Sequence, residues 1–197
     1  SYSVTGVQTC ALPIYGHQMT TANIAFTYHI PQLNDIVFNE LMLDINPSPA
    51  GLPASQYIEL FNTTQYDIWL TDWQFISEGQ SAKTFPTVKI PARKFAIICE
   101  PDNEKLIKTY GTTIPILGAS DLTQSGKKIE IYDNKSNIIT TLKYSSQWYK
   151  DDKKDDGGWS LEKIDPDNFC ETDFNWNVCS DILGGTPGKD NSVFNIN

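Results

Sequence analysis

Residues 36–49 read IVFNELMLDINPSP and residues 56–64 read QYIELFNTT. Ile58 and Leu60 recur two residues apart, the period at which a strand returns a side chain to the same face. Each stretch also carries a glutamate, Glu40 or Glu59, among its apolar residues. The rest of the chain repeats the pattern: short apolar runs alternate with turn signals, predicting strands at 36–43, 56–62, 67–70, 73–77, 84–90, 94–100, 128–133 and 138–144. Ile129 and Ile131 share a face, and residues 133–137, DNKSN, form a hairpin loop that tolerates positive φ or bonds its own backbone. One helix is predicted over 102–109. Asp102 after Pro101 would cap it, Leu106, Ile107 and Tyr110 give it an apolar stripe, and Gly111 ends it. The fold class is therefore all-β, a β-sandwich with one short helix closing an end and a long C-terminal coil.

Composition agrees with a single sizeable core, since 40% of the 197 residues are hydrophobic and 12% are aromatic. The 24 acidic residues outnumber the 15 basic ones, and a net charge of -9 opposes approach to a phosphate backbone or an anionic membrane. No stretch reaches the roughly 18 consecutive apolar residues that a membrane-crossing helix needs.

The start of the chain breaks with the rest, because no Asp, Glu, Lys or Arg precedes Asp35. Val4 to Ile14, VTGVQTCALPI, resembles letter for letter the translation of a sequencing-library adapter. Residues 1–15 are accordingly expected to be foreign, with Cys10 outside any disulfide scheme and the reading frame cut from a longer gene. Residues 16–34 are expected to hold the last strand of a preceding domain, with apolar positions Ile24, Phe26, Tyr28 and Ile30, and then a linker from Pro31 to Asn34. The alternative is an extra edge strand of the main domain. That domain then covers 35–193, and 194–197 are a tail or the start of a next segment.

The inventory of chemistry is short. His17 and His29 are the only histidines and both precede the domain, which leaves it without a Ser-His-Asp set or a His-rich zinc site. There is no phosphate-binding G-x-x-x-x-G-K-[ST] loop and no C-x-x-C pair, so no cofactor is expected. Glu40 and Glu59 would become neighbours if their strands pair. They would then share a cation or face a ligand, or else each would bond nearby backbone. The DDKKDD run at 151–156 reads as a solvated loop, since two lysines cancel charge where calcium would sit. Cys170 and Cys179 have a spacing that a turn can close and are expected to form one disulfide in an exported protein, with Cys99 a buried free thiol. Of the five tryptophans, Trp159 and Trp176 are expected to pin the C-terminal coil. Trp148, beside Tyr149, is the candidate ligand contact through ring stacking.

Taken in order, IVFNELMLDINPSP, QYIELFNTT, YDIWLTDWQF at 66–75, KIPARKFAIICE at 89–100, SGKKIEIYDNKSNIITTLKYSSQW at 125–148, GGWSLEKIDPDNFC at 157–170, NW at 175–176 and GGTPGKDNSV at 184–193 resemble the bacterial lamin tail domain. The positions that carry the resemblance are Glu40, Glu59, Asn62, Trp73, Ser160, Leu161, Glu162, Trp176, Thr186, Pro187, Gly188 and Asn191. It implies an immunoglobulin-like β-sandwich with no catalytic residues, acting as an interaction or scaffolding module of a larger secreted or cell-surface bacterial protein. The partner would be a protein or a neighbouring domain of the same chain. Two other readings remain open: a carbohydrate-binding accessory to an extracellular hydrolase, and a DNA-binding accessory, which the negative charge disfavours.

Overall fold

The computed structural model describes residues 2–5 and 25–194, with 2–5 and 25–28 as backbone pairing alone. Two compact units make up the chain, Ser1–Ile30 and Pro31–Asn197. In the first, β1 (Tyr2–Thr5) pairs antiparallel with β2 (Ala25–Tyr28). Cys10, His17 and all of the tract read as foreign beyond Thr5, up to residue 15, lie outside the described residues.

The second unit is an immunoglobulin-like β-sandwich. Its larger sheet combines β3 (Ile36–Met42), β4 (Tyr57–Asn62), β9 (Phe95–Cys99), β10 (Thr113–Ile114), β13 (Leu161–Lys163) and β14 (Trp176–Val178) in the order β10-β9-β4-β3-β13-β14. The smaller one combines β6 (Gln74–Ser77), β7 (Lys83–Thr84), β11 (Lys128–Tyr132) and β12 (Ile138–Lys143) in the order β12-β11-β6-β7. A separate pair, β5 (Ile68–Trp69) with β8 (Lys89–Ile90), brackets β6 and β7 in sequence. Ile58, Leu60, Ala96, Ile98 and Leu161 from the large sheet share one core with Phe75, Ile129, Ile131, Ile139 and Leu142 from the small one.

A bulge decides which β3 side chains reach that core. Ile36 and Phe38 point inward, and so do Leu41 and Leu43. Strict alternation cannot place positions 38 and 41 on one face. The ladder slips by one residue between Phe38 and Glu40, and the extra residue, Asn39, resets the parity. Glu40 and Met42 therefore emerge on the outer face of the sheet. There Met42, Tyr57, Ile97 and Cys99 form a second apolar cluster with Ile107 of α1 (Glu104–Ile107).

Several sequence expectations need correction. The helix is a 3-10 turn at Pro101–Asn103 followed by the four residues of α1, and Asp102 makes no side-chain cap bond. It covers the outer face of the large sheet through Ile107 and Tyr110 rather than closing an end, and Leu106 stays exposed. The strand expected at 84–90 is two strands, because Pro86 has no N–H for a ladder and follows Phe85, which is drawn inward with its N–H on the Trp73 carbonyl. The C-terminal region is not all coil: β13 and β14 extend the large sheet beyond β3.

Candidate functional site: a buried carboxylate row under a C-terminal strap

On the outer face of the large sheet Glu40 of β3 lies opposite Glu59 of β4 on one side and opposite Glu162 of β13 on the other. The three carboxylates thus form a row across adjacent strands, and each residue has 0% exposure. Each neighbours core-facing residues on its own strand, Leu41, Ile58 and Leu161 respectively, so alternation sends it outward. What covers the row is the segment 184–194, here called the strap.

Donors from the strap and the sheet surround the row. Glu40 Oε1 accepts from the Tyr57 hydroxyl at 2.8 Å, the Ser160 hydroxyl at 2.6 Å and the Thr186 N–H at 2.8 Å, while its Oε2 is buried without a partner. Glu59 accepts from Asn39 Nδ2 at 2.9 Å and from the Gly188 N–H at 2.5 Å. Glu162 accepts from the Thr186 hydroxyl at 2.8 Å, the Ser192 hydroxyl at 2.6 Å and the Val193 N–H at 3.2 Å. Burial is the largest influence on Glu40 and, with the Glu162 charge, lifts its carboxyl from 4.5 to about 7. Burial and then Glu40 push Glu59 well above the carboxylate range. Tyr57 is raised for the same reasons and stays a hydroxyl donor.

The strap has the residues this close approach demands. Thr186 to Lys189 is a turn closed by the Lys189 N–H on the Thr186 carbonyl at 3.1 Å, with Pro187 and Gly188 at its centre. Gly188 has φ +77, and a Cβ there would stand 1.9 Å from the Tyr110 carbonyl oxygen. At Gly185 a Cβ would fall 2.6 Å from the Tyr57 hydroxyl and 2.8 Å from Glu40 Oε1. Asn191 closes the far end by donating to the carbonyls of Asn39 at 2.9 Å and Lys163 at 2.7 Å and by accepting from Asn39 Nδ2 at 3.0 Å. The bulge residue and the strap thus hold each other.

A model of the Lamin Tail Domain family matches residues 30–146, more than half of the chain. The chain belongs to the lamin tail domain family. A search of curated proteins found no match. Domains of this kind are immunoglobulin-like, generally non-catalytic and interaction-mediating. The matched residues include Glu40 and Glu59, whereas Glu162 and the strap lie beyond them.

The other positions that suggested a lamin tail domain serve the fold. Asn62 donates to the carbonyls of Tyr66, Ile90 and Pro91 and accepts from Thr64, fixing the 62–66 turn to the end of β8. Trp73 and Leu161 lie in the core. Trp176 is also in the core, with its indole N–H on Glu171 Oε2 at 3.2 Å, so it braces β14 and does not touch the strap chemistry. Trp159 is half-buried under Lys154, whose Nζ lies 4.2 Å from its ring centre.

Two site expectations are not met. Trp148 is half-buried on the core, 6.0 Å ring to ring from Trp176, and Tyr149 is buried with its hydroxyl on the Trp159 carbonyl at 3.0 Å. Tyr149 offers no free ring face to a ligand, and Trp148 is packed on one side against the core. The Cys170–Cys179 disulfide is not formed: Cys170 is exposed, and the Cys179 sulfur is turned inward, 3.4 Å from the Ser192 hydroxyl. Glu40 and Glu59 do meet, and of the two arrangements open to them they take the one in which each accepts from backbone, the N–H groups of Thr186 and Gly188. Among the described residues no group of three or more His, Cys, Asp or Glu is arranged to hold a metal ion.

Two features escaped the sequence reading. Glu162, singled out only as a position of the resemblance, is the third member of the row, and its signal was a glutamate beside an apolar residue in SLEKIDP, a segment read as coil. The exposed tryptophan of the domain is Trp69, at 56%, held between buried Ile68 and Leu70. That alternation was visible in the sequence.

Proposed function

We propose that this lamin tail domain is a non-catalytic interaction or scaffolding module of a larger secreted or cell-surface bacterial protein, attaching its parent to a protein partner or orienting neighbouring domains of the same chain. One observation carries the reading: the ionisable residues marked by the family pattern converge on the strap, inside the fold, and build the domain instead of an open reaction site. Recognition then falls to the exposed loops and edges, the variable part of such sandwiches. The strand β2 belongs, on this reading, to a preceding domain. Recovering the intact gene tests the proposal. An export signal upstream and further domains in the same reading frame are expected, and a reading frame with neither contradicts it.

A second reading, carbohydrate binding, is favoured by Trp69. Its ring is exposed on β5, and cross-strand Lys89 places Nζ 5.9 Å from the ring centre while bonding Asp67 at 2.8 Å. An aromatic face beside a fixed charged pair suits a sugar ring. A glycan array separates the readings: specific binding abolished by Trp69→Ala would favour this one, and no binding leaves the interaction module.

A further inference from the structure

The carboxylate row is an electrostatic problem that the fold does not solve with a cation. Its donors are the side chains of Asn39, Tyr57, Ser160, Thr186 and Ser192 and the N–H groups of Thr186, Gly188 and Val193. All are neutral. Among the described residues no lysine, arginine or histidine forms an ion pair with Glu40, Glu59 or Glu162. Three full charges on adjacent strands, shielded from water, would repel one another strongly. The middle residue, Glu40, faces both neighbours and has a buried oxygen, Oε2, with no bond to make as an acceptor.

We propose that the buried row keeps a proton, shared between the facing carboxyls of Glu40 and Glu59, and that this proton governs how tightly the strap 184–194 closes. With the proton in place the strap is locked. When it leaves, repulsion along the row works against the segment that seals it. The proton comes from and returns to water, so no co-reactant is needed.

Groups from three elements face Glu40. From β4 come Tyr57 and Glu59, from β13 Ser160 and Glu162, and from the strap Gly185 and Thr186. Burial holds the Tyr57 hydroxyl well above its ordinary value. The Cys179 thiol beside Glu162 is pushed up to about 12, and Cys99 of β9, with Glu100 and Glu104 near it, up to about 11. Glu40 and Glu59, both raised by burial, are left to respond.

The sign follows from linkage. A carboxyl lifted by burial from 4.5 to about 7 keeps its proton in the folded state after the unfolded chain has lost it. Stability is then full below the lower value, falls as pH rises through the upper one, and stays low above it.

The test uses the full chain with 13C-labelled glutamate carboxyls, titrated from about pH 4 to about pH 9 alongside thermal melting and amide exchange corrected for intrinsic rate. A Glu40 or Glu59 resonance titrating far above the ordinary glutamate range is expected. Melting should drop by several degrees across the same interval, with the Thr186 and Gly188 amides losing protection more than those of β4. Glu40→Gln keeps the shape and an acceptor oxygen but has no proton to lose, so its melting profile should be flatter and match or exceed the natural chain in mild base. Glu40 and Glu59 carboxyls that both titrate at their ordinary value, or a Glu40→Gln profile with the same pH dependence as the natural chain, overturn the proposal. Should the variant fail to fold, the carboxyl titration of the natural chain decides alone.

Discussion

Thr186 bonds two buried carboxylates at once: its N–H donates to Glu40 Oε1 at 2.8 Å and its hydroxyl to Glu162 Oε1 at 2.8 Å. Those two glutamates stand opposite each other across β3 and β13. A single strap residue therefore staples the first strand of the large sheet to the strand that arrives more than a hundred residues later. The long-range closure of the sandwich on this face depends on polar bonds of this kind, since the inner face alone takes up the main core.

Thr186→Val isolates the hydroxyl with almost no change in volume. It leaves Glu162 Oε1 without its donor in a buried setting, which costs about 1–3 kcal/mol. Urea unfolding should show a lower midpoint with an unchanged slope. A midpoint equal to that of the natural chain would mean that this bond contributes nothing.

Gly188→Ala meets two obstacles together. Its φ of +77 is unfavourable for an L side chain, and the added carbon would sit 1.9 Å from the Tyr110 carbonyl oxygen, a backbone atom that cannot swing aside. A loss of more than about 1 kcal/mol is expected. Gly79→Ala is the control, because φ there is +75 and nothing lies within 4 Å of the added carbon. The difference between the two variants measures the close approach of the strap; equal losses would assign the whole effect to backbone conformation.

The thiols should separate by accessibility. Cys170 is exposed, while Cys99 and Cys179 are buried with their thiols pushed up to about 11 and about 12. Alkylation of the native chain without reductant is expected to mark Cys170 and spare the other two, and denaturation should release both. A disulfide-linked peptide pair containing Cys170 and Cys179 in the mass spectrum would contradict the free-thiol arrangement.

Much of the sandwich was readable from the sequence because its central strands alternate cleanly. Ile58 with Leu60 and Ile129 with Ile131 occupy the shared core that their spacing suggests. The hairpin loop at Asp133 behaves as its composition implies, with the carboxylate accepting the N–H groups of Lys135 and Asn137 at 2.8 Å and Ser136 at φ 64. What alternation cannot show is a change of parity. Asn39 is one residue too many in β3, and nothing in IVFNELML by itself says where the slip occurs.

The candidate site was only half legible for a related reason. Glu40 and Glu59 could be paired from neighbouring strands, whereas Glu162 joins them through a strand of three residues whose partner lies far upstream in sequence. Short strands carry too few positions to reveal a period. The role of the strap was hidden as well, since GGTPGKDNSV looks like a turn-rich coil and part of its anchoring comes from the N–H groups of Thr186, Gly188 and Val193, which every residue but proline possesses. Cys170 and Cys179 show the converse: close spacing in sequence allowed a bond that the inward turn of the Cys179 side chain toward Ser192 does not make.

The sealing of the carboxylate row is tested most directly by carbodiimide labelling of carboxyl groups in the native chain, mapped by peptide mass spectrometry. Glu40, Glu59 and Glu162 are expected to resist labelling while exposed Asp152 and Asp156 react readily. Labelling of Glu40 or Glu162 at the rate of Asp152 would show an open row and contradict the strapped arrangement.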